Sequence, residues 1–108
     1  MNIRICGTGS ALPERKITND DLSQIMDTSD EWISSRTGIK TRHLATEETT
    51  TSLATEAAKK ALADADMKPE EVELIIAATV TPDHLVPTLS CEVQREIGAV
   101  NAVAFDLG

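Results

Sequence analysis

Aromatic residues are nearly absent from this 108-residue chain: one Trp, one Phe and no Tyr. Cysteine is scarce too. Cys6 and Cys91 stand far apart, with no CxxC or other metal-ligand spacing. His43 and His84 are likewise separated, and no ligand pattern joins them. No apolar run approaches the roughly 18 residues needed to span a bilayer. The start, Met1-Asn2-Ile3-Arg4-Ile5, lacks the apolar core and small-residue cleavage site of a secretory signal. Unpaired cysteines in a chain without a leader are expected in a reducing cytoplasm. Basic charge is in short supply, with 10 Lys+Arg against 18 Asp+Glu and a formal net charge of −8. That balance argues against nucleic acid, whose binding is driven by basic surface. There is no internal repeat and no low-complexity tract, and the length suits one domain or part of one.

Within this acidic chain, acids vanish from Trp32 to Thr46, while Arg36, Lys40, Arg42 and His43 fall there. A basic island of this kind is a candidate anion site. A solvated loop with scattered charge is the alternative. The run Asp27-Thr28-Ser29-Asp30-Glu31-Trp32-Ile33-Ser34-Ser35-Arg36-Thr37-Gly38-Ile39 predicts one short helix. Thr28 is the expected N-cap, with Glu31 three residues on to complete a capping box, and Gly38 is the expected stop. Asp30 and Glu31 suit the positive end of the helix dipole. Trp32 and Arg36 stand at i and i+4, so they share a face. Two readings follow. The pair is a surface that stacks a planar base and holds a phosphate. Alternatively, Trp32 is a core anchor with Arg36 lying over it as a cation–π partner.

The remaining elements alternate. Ile3, Ile5 and Gly7 predict a first strand at about residues 2–9. The Gly7-Thr8-Gly9-Ser10 run that follows resembles the start of a dinucleotide fingerprint, but the third glycine and the immediate helix are missing. Thr18-Asn19-Asp20-Asp21 opens a short helix with Leu22, Ile25 and Met26 on one face. Residues 43–50 read as an exposed loop. A long helix runs from about Thr51 to Ala65, with Leu53, Ala54, Ala57, Ala58, Ala61, Leu62 and Ala65 at helical spacing. Its Ala-rich face implies close packing onto a sheet, and Asp66 after it is a residue type that tolerates the left-handed conformation better than most. Lys68-Pro69-Glu70-Glu71 is a turn. Leu74 to Thr79 and Ala102 to Phe105 are strands without alternation, hence apolar on both faces as in a parallel sheet. Between them a helix starts at Pro87, carries Leu89, Val93 and Ile97 in line, and stops at Gly98.

The order is strand, helices, strand, helix, strand: a βαβαβ portion of an α/β fold. Right-handed crossovers place both major helices on one face of a parallel sheet in order 1-2-3 and leave the other face bare.

The chain resembles the N-terminal portion of a β-ketoacyl–acyl carrier protein synthase III. The matching residues are Gly7-Thr8-Gly9-Ser10 with Leu12-Pro13, Asp27 to Ile33, Arg36-Thr37-Gly38-Ile39, Arg42-His43, Ala77-Ala78-Thr79, the Pro87 helix and Ala104-Phe105-Asp106. The resemblance covers essentially the whole chain. It implies a thiolase-like fold, a mixed and mostly parallel sheet of which residues 1–108 are a truncated N-terminal half-domain. It implies the first condensation of fatty-acid synthesis, in which a short acyl-coenzyme A, usually acetyl, joins malonyl–acyl carrier protein through a cysteine thioester. Coenzyme A is there a substrate rather than a resident cofactor, and no metal is implied. The implied partners are acyl carrier protein and a second copy of the enzyme. Trp32 would stack on the adenine, Arg36 would help hold the nucleotide, and Thr28 would lie at the adenine site. Lys40 and Arg42 are weaker candidates, by charge alone. The family's nucleophilic Cys follows the Phe-Asp strand, a few residues beyond Gly108, and its His and Asn belong to the second half. The 108 residues are therefore expected to be inert alone. Cys91 and Cys6 are expected to be buried structural thiols rather than substitutes. Also open are a non-catalytic coenzyme A-binding module, a self-associating structural fragment, and part of a polyketide-priming synthase.

Overall fold

A computed structural model describes residues 1–108, which form two compact units, one of Leu12–Glu47 and one of Met1–Ala11 with Glu48–Gly108.

In the unit of residues 12–47, strands β1 (Arg15–Thr18) and β2 (Thr41–Leu44) pair antiparallel, from Arg15 opposite Leu44 to Thr18 opposite Thr41. Neither strand was expected, and β2 takes residues 43–44 out of the predicted loop. Only Ile17 of these two strands is buried. Helix α1 (Asn19–Ser23) starts on a capping box: Thr18 Oγ1 accepts from Asp21 N (3.1 Å) and the Asp21 carboxylate accepts from Thr18 N (2.8 Å). It ends before Ile25 and Met26, both of which are exposed. Helix α2 (Asp30–Thr37) is the expected Trp32 helix, but its N-cap is Ser29, not Thr28. Ser29 is extended and its Oγ accepts from Trp32 N (3.1 Å), three residues on, the reach that an N-cap side chain has. Thr28 is one residue too early to make that bond. Gly38 closes the helix at φ 73°, as expected.

In the other unit, α3 (Thr50–Ala65) is capped by Thr49 and Ser52, and the Asp83 carboxylate accepts from Thr50 N (3.1 Å) and Thr51 N (2.7 Å). A 3₁₀ turn at Pro69–Glu71 leads to β3 (Leu74–Ala78). Helix α4 (Leu89–Ile97) follows, and then β4 (Val103–Leu107), parallel to β3 with Leu74 opposite Val103 and Ala78 opposite Leu107. Thr88 precedes α4 but makes no side-chain cap; Asp106 of β4 does that work, accepting from Leu89 N (3.0 Å) and Ser90 N (2.9 Å). Helix α4 packs on β3, β4 and α3, and Leu89, Val93 and Ala99 are buried there. The opposite sheet face is bare: Leu74, Ile76, Val103, Phe105 and Leu107 are each 43–66% exposed. The bare face expected of strands apolar on both sides is present.

The expected first strand does not form. Residues 2–9 join no ladder, so the parallel sheet has two strands rather than three. The segment lies instead along α3. A Cβ on Gly7 would come within 2.7 Å of Ala61 O, and one on Gly9 would run into Ala57 O. Thr8 N donates to Asp64 (2.9 Å). These glycines permit backbone-to-helix contact on the alanine face, which is a packing role and not a phosphate cradle.

Candidate functional site

The α2 backbone turns by about 100° per residue, so Trp32 and Arg36 lie together on one side and Asp30 and Ser34 on the other. Trp32 is 55% exposed. The Arg36 guanidinium carbon sits 4.7 Å from the indole centroid, and Arg36 is exposed too. The cation–π contact of the second sequence reading is present, while its buried anchor is not. The pair forms a displayed surface: a flat apolar ring with a cation across it.

The far side of α2 is gripped by Asn19, which is 1% exposed. Its amide nitrogen donates to Asp30 Oδ1 (2.8 Å), Ile39 O (2.8 Å) and, more weakly, Ser34 Oγ (3.3 Å). Its amide oxygen accepts from Arg42 Nη2 (2.6 Å). Hydrogen bonds from Asn19 and Ser34, with the Lys40 charge nearby, hold the Asp30 carboxyl below the usual aspartate range. Sequence reasoning did not single out Asn19, because Asn at a helix start is common for local reasons.

The basic island divides. Lys40 Nζ donates to Ser34 Oγ (3.1 Å). Arg42 is half-buried and committed to Asn19 and to Ile17 O (3.4 Å), so it is a structural residue and not a displayed cation. His43 Nδ1 is paired with Pro13 O (2.7 Å). Thr28 is half-buried; its N–H donates to Met26 O (3.0 Å), and its Oγ1 is buried with no hydrogen-bond partner. No hydrogen bond links Thr28 to the Trp32–Arg36 pair.

No nucleophile–base pair is assembled. Cys6 and Cys91 are both exposed, not buried as expected. Cys91 lies two residues from Leu89, which turns it away from the face that Leu89 and Val93 bury. His84 Nδ1 pairs with Glu92 Oε1 (3.0 Å), and Thr51 Oγ1 donates to Glu92 Oε2 (2.8 Å); these contacts keep the Glu92 carboxyl below its usual range. That histidine is committed to a buried carboxylate rather than to a thiol. A cleft of about 620 Å³ beside β3 is lined mainly by apolar residues such as Ala58, Leu62, Ile75 and Val93. No group of three or more His, Cys, Asp or Glu side chains converges to hold a metal, and no helix is long and apolar enough to cross a membrane.

No family model matches the chain. Individual relatives do. The chain is 54% identical over 106 residues to the β-ketoacyl-[acyl-carrier-protein] synthase III of Clostridium acetobutylicum, covering 98% of this chain and 33% of the relative. It is 57% identical over 104 residues to the same-named protein of Caldanaerobacter subterraneus, covering 95% and 31%. Among solved structures, 3-oxoacyl-[acyl-carrier-protein] synthase III from Aquifex aeolicus superposes with a TM-score of 0.95 at 52% identity, covering 98% of this chain and 34% of that one. The priming β-ketosynthase of the R1128 polyketide pathway gives 0.93 at 37% identity, covering 96% and 31%. The chain is thus similar over nearly its whole length to β-ketoacyl-[acyl-carrier-protein] synthase III, with that enzyme's α/β ketosynthase fold. It spans about a third of the length of the relatives it matches.

Proposed function

We propose, from this likeness to β-ketoacyl-[acyl-carrier-protein] synthase III, that the chain is the coenzyme A-recognising part of an initiating ketosynthase. The exposed Trp32–Arg36 stack carries the reading. An adenine ring needs a flat apolar partner, and the phosphates of coenzyme A need a fixed cation. The α2 surface offers both in a chain whose net charge of −8 would otherwise repel that anion. Thr28 joins the proposed site on the strength of the likeness alone, since its hydroxyl is buried.

In the proposed reaction an enzyme thiol displaces coenzyme A from acetyl- or another short acyl-coenzyme A, forming an enzyme thioester. Malonyl–acyl carrier protein then loses carbon dioxide, and its carbanion attacks that thioester and releases the thiol. Coenzyme A is a substrate here, and the partners are acyl carrier protein and a second copy of the enzyme. Residues 1–108 are read as half of a domain, which the bare β3–β4 face supports. The free Cys6 and Cys91 support a cytoplasmic setting. In this reading the 108 residues contribute recognition and not the chemical steps. The likeness to the R1128 priming ketosynthase favours a second reading, polyketide priming, with the same coenzyme A surface and a different acyl group.

Trp32 is the only Trp, so its emission reports the site without a label. Titrating coenzyme A into the chain should quench it, and added salt should weaken the binding. In a complete enzyme carrying this segment, Arg36→Ala should raise KM for acyl-coenzyme A more than it lowers kcat, because it removes a ground-state contact. An unchanged KM, together with a flat titration, would count against the reading.

A further inference from the structure

The geometry points to Asn19 as the positioning residue of the Trp32–Arg36 surface: it holds α2 from behind, so that the coenzyme A-facing side stays presented. This rests on the coenzyme A reading of α2 for its ligand, but not for its geometry.

Four features carry it. Asn19 is the most deeply buried residue of its unit, at 1% exposure, and it is polar. Its contacts are spread along α2, with Asp30 at the start, Ser34 in the middle and Ile39 O just past the end. One side chain thereby sets both the rotation and the tilt of the helix. Asp30 and Ser34 each stand two residues from Trp32 and Arg36 respectively, about 200° around the axis. Asn19 therefore touches neither displayed side chain and acts only through the helix. Finally, the amide bridges two opposite charges. Its nitrogen faces the Asp30 carboxylate and its oxygen faces the Arg42 guanidinium, so only a side chain with a donor and an acceptor serves both. Arg42 is fixed in turn by Ile17 O of β1, and Asn19 N donates to Lys40 O (3.3 Å). Helix α2 is thus tied to the β1–β2 pair through one amide. The hydrophobic alternative is thin, since Ile33 alone of α2 is buried.

The test uses Asn19→Ala, Asn19→Asp, and Asn19→Asp combined with Asp30→Asn. Asn19→Asp keeps the size and the acceptor for Arg42 but sets a carboxylate against Asp30 and Ile39 O. The double variant returns a donor–acceptor pair with the roles exchanged. Three readouts are taken on the 108-residue chain: far-UV circular dichroism, iodide quenching of Trp32 without ligand, and the coenzyme A dissociation constant from Trp32 emission. The expected result for Asn19→Asp is an intact helical spectrum, increased iodide quenching and roughly tenfold weaker coenzyme A binding, with part of both losses recovered in the double variant, where Ile39 O still lacks its donor. If Asn19→Ala does not fold, the single and double Asp variants decide. A folded Asn19→Asp that quenches and binds like the unaltered chain overturns the assignment, as does a double variant no better than the single. If the unaltered chain does not bind coenzyme A at all, the ligand reading fails, and the ligand-free quenching series still decides the positioning role.

Discussion

The two units solve the same problem, holding a helix in place, by opposite means. In residues 12–47 the helix α2 is held by directional polar bonds to one buried amide, and the two strands beside it are polar except for Ile17 and the exposed Leu44. In the other unit α4 is held mainly by Leu89 and Val93 against an apolar sheet whose second face has nothing on it, and its polar bonds, from Asp106 and through Glu92, only add to that contact. Apolar burial is strong and non-directional, so it builds layers and leaves any uncovered face adhesive. Hydrogen bonds are weaker but directional, so they can aim a small surface without a large core. The displayed Trp32–Arg36 pair belongs to the second kind of construction.

The largest effect that would break this comparison lies on the bare face. Leu74, Ile76, Val103, Phe105 and Leu107 are exposed in register across β3 and β4. Each would gain up to about 1.5–3 kcal/mol on full burial, so the face should drive association. Sedimentation should show assembly of the chain that Phe105→Glu reduces. A stable monomer with a cooperative melt would show that this face tolerates water.

Next in size is a matched pair of valines. Val93 is 5% exposed and Val103 is 66% exposed. Val93→Ala should cost about 1.5–3 kcal/mol, and Val103→Ala no more than about 0.5 kcal/mol, in denaturant melts. Equal losses would mean that the bare face is covered in solution.

Acid should separate the units. Hydrogen bonds from Ser90 and Leu89 hold Asp106 below the usual range, those of Thr51 and Thr50 do the same for Asp83, and those of Asn19 and Ser34 for Asp30. A folded-state pKa below the unfolded one gives stability that is present above the unfolded value. It is lost as pH falls from about 5 through the lowered value. Trp32 emission follows the unit of residues 12–47, and far-UV dichroism is dominated by α3 and α4 in the other. Asp30→Asn should therefore flatten the acid limb of the emission signal, and Asp106→Asn that of the dichroism. If each variant moved both signals together, the units would be one cooperative body.

Legibility in the sequence followed the same division. Helix α3, the parallel pair and the bare face were readable, because apolar spacing in Leu53 to Ala65 and the unbroken runs in β3 and β4 report layers directly. The displayed pair was readable from i and i+4 spacing. Strands β1 and β2 were not: Arg15-Lys16-Ile17-Thr18 and Thr41-Arg42-His43-Leu44 bury one side chain between them, so no alternation marks them. Asn19 was invisible because its partners lie as far off as Arg42, and a buried amide looks like any turn residue until the chain is folded. Residues 2–9 misled in the other direction, since Ile3 and Ile5 alternate like a strand while no neighbouring strand takes up their backbone. The Thr28 cap failed by one residue because Ser29 offers the same chemistry.

The smallest effect sharpens the comparison at the helix ends, where both units use one device. Helix α2 ends on Gly38 at φ 73° and α4 on Gly98 at φ 77°, whereas α3 ends on Asp66 at φ 52°. The left-handed conformation crowds Cβ against the following carbonyl, a strain glycine lacks. Asp66 nevertheless serves, because its N–H reaches Ala63 O and Leu62 O and so satisfies the last turn. Asp66→Gly should therefore stabilise the chain, by about 0.3–1 kcal/mol, since the greater freedom of glycine in the unfolded chain offsets part of the gain. The reverse change, Gly98→Asp, meets no atom within 4 Å of its new Cβ, so it should cost a similar amount for backbone reasons alone. Thermal melts of the two variants should move in opposite directions by comparable amounts. A lower melting temperature for Asp66→Gly would show that the carboxylate contributes more to this helix end than its backbone strain removes.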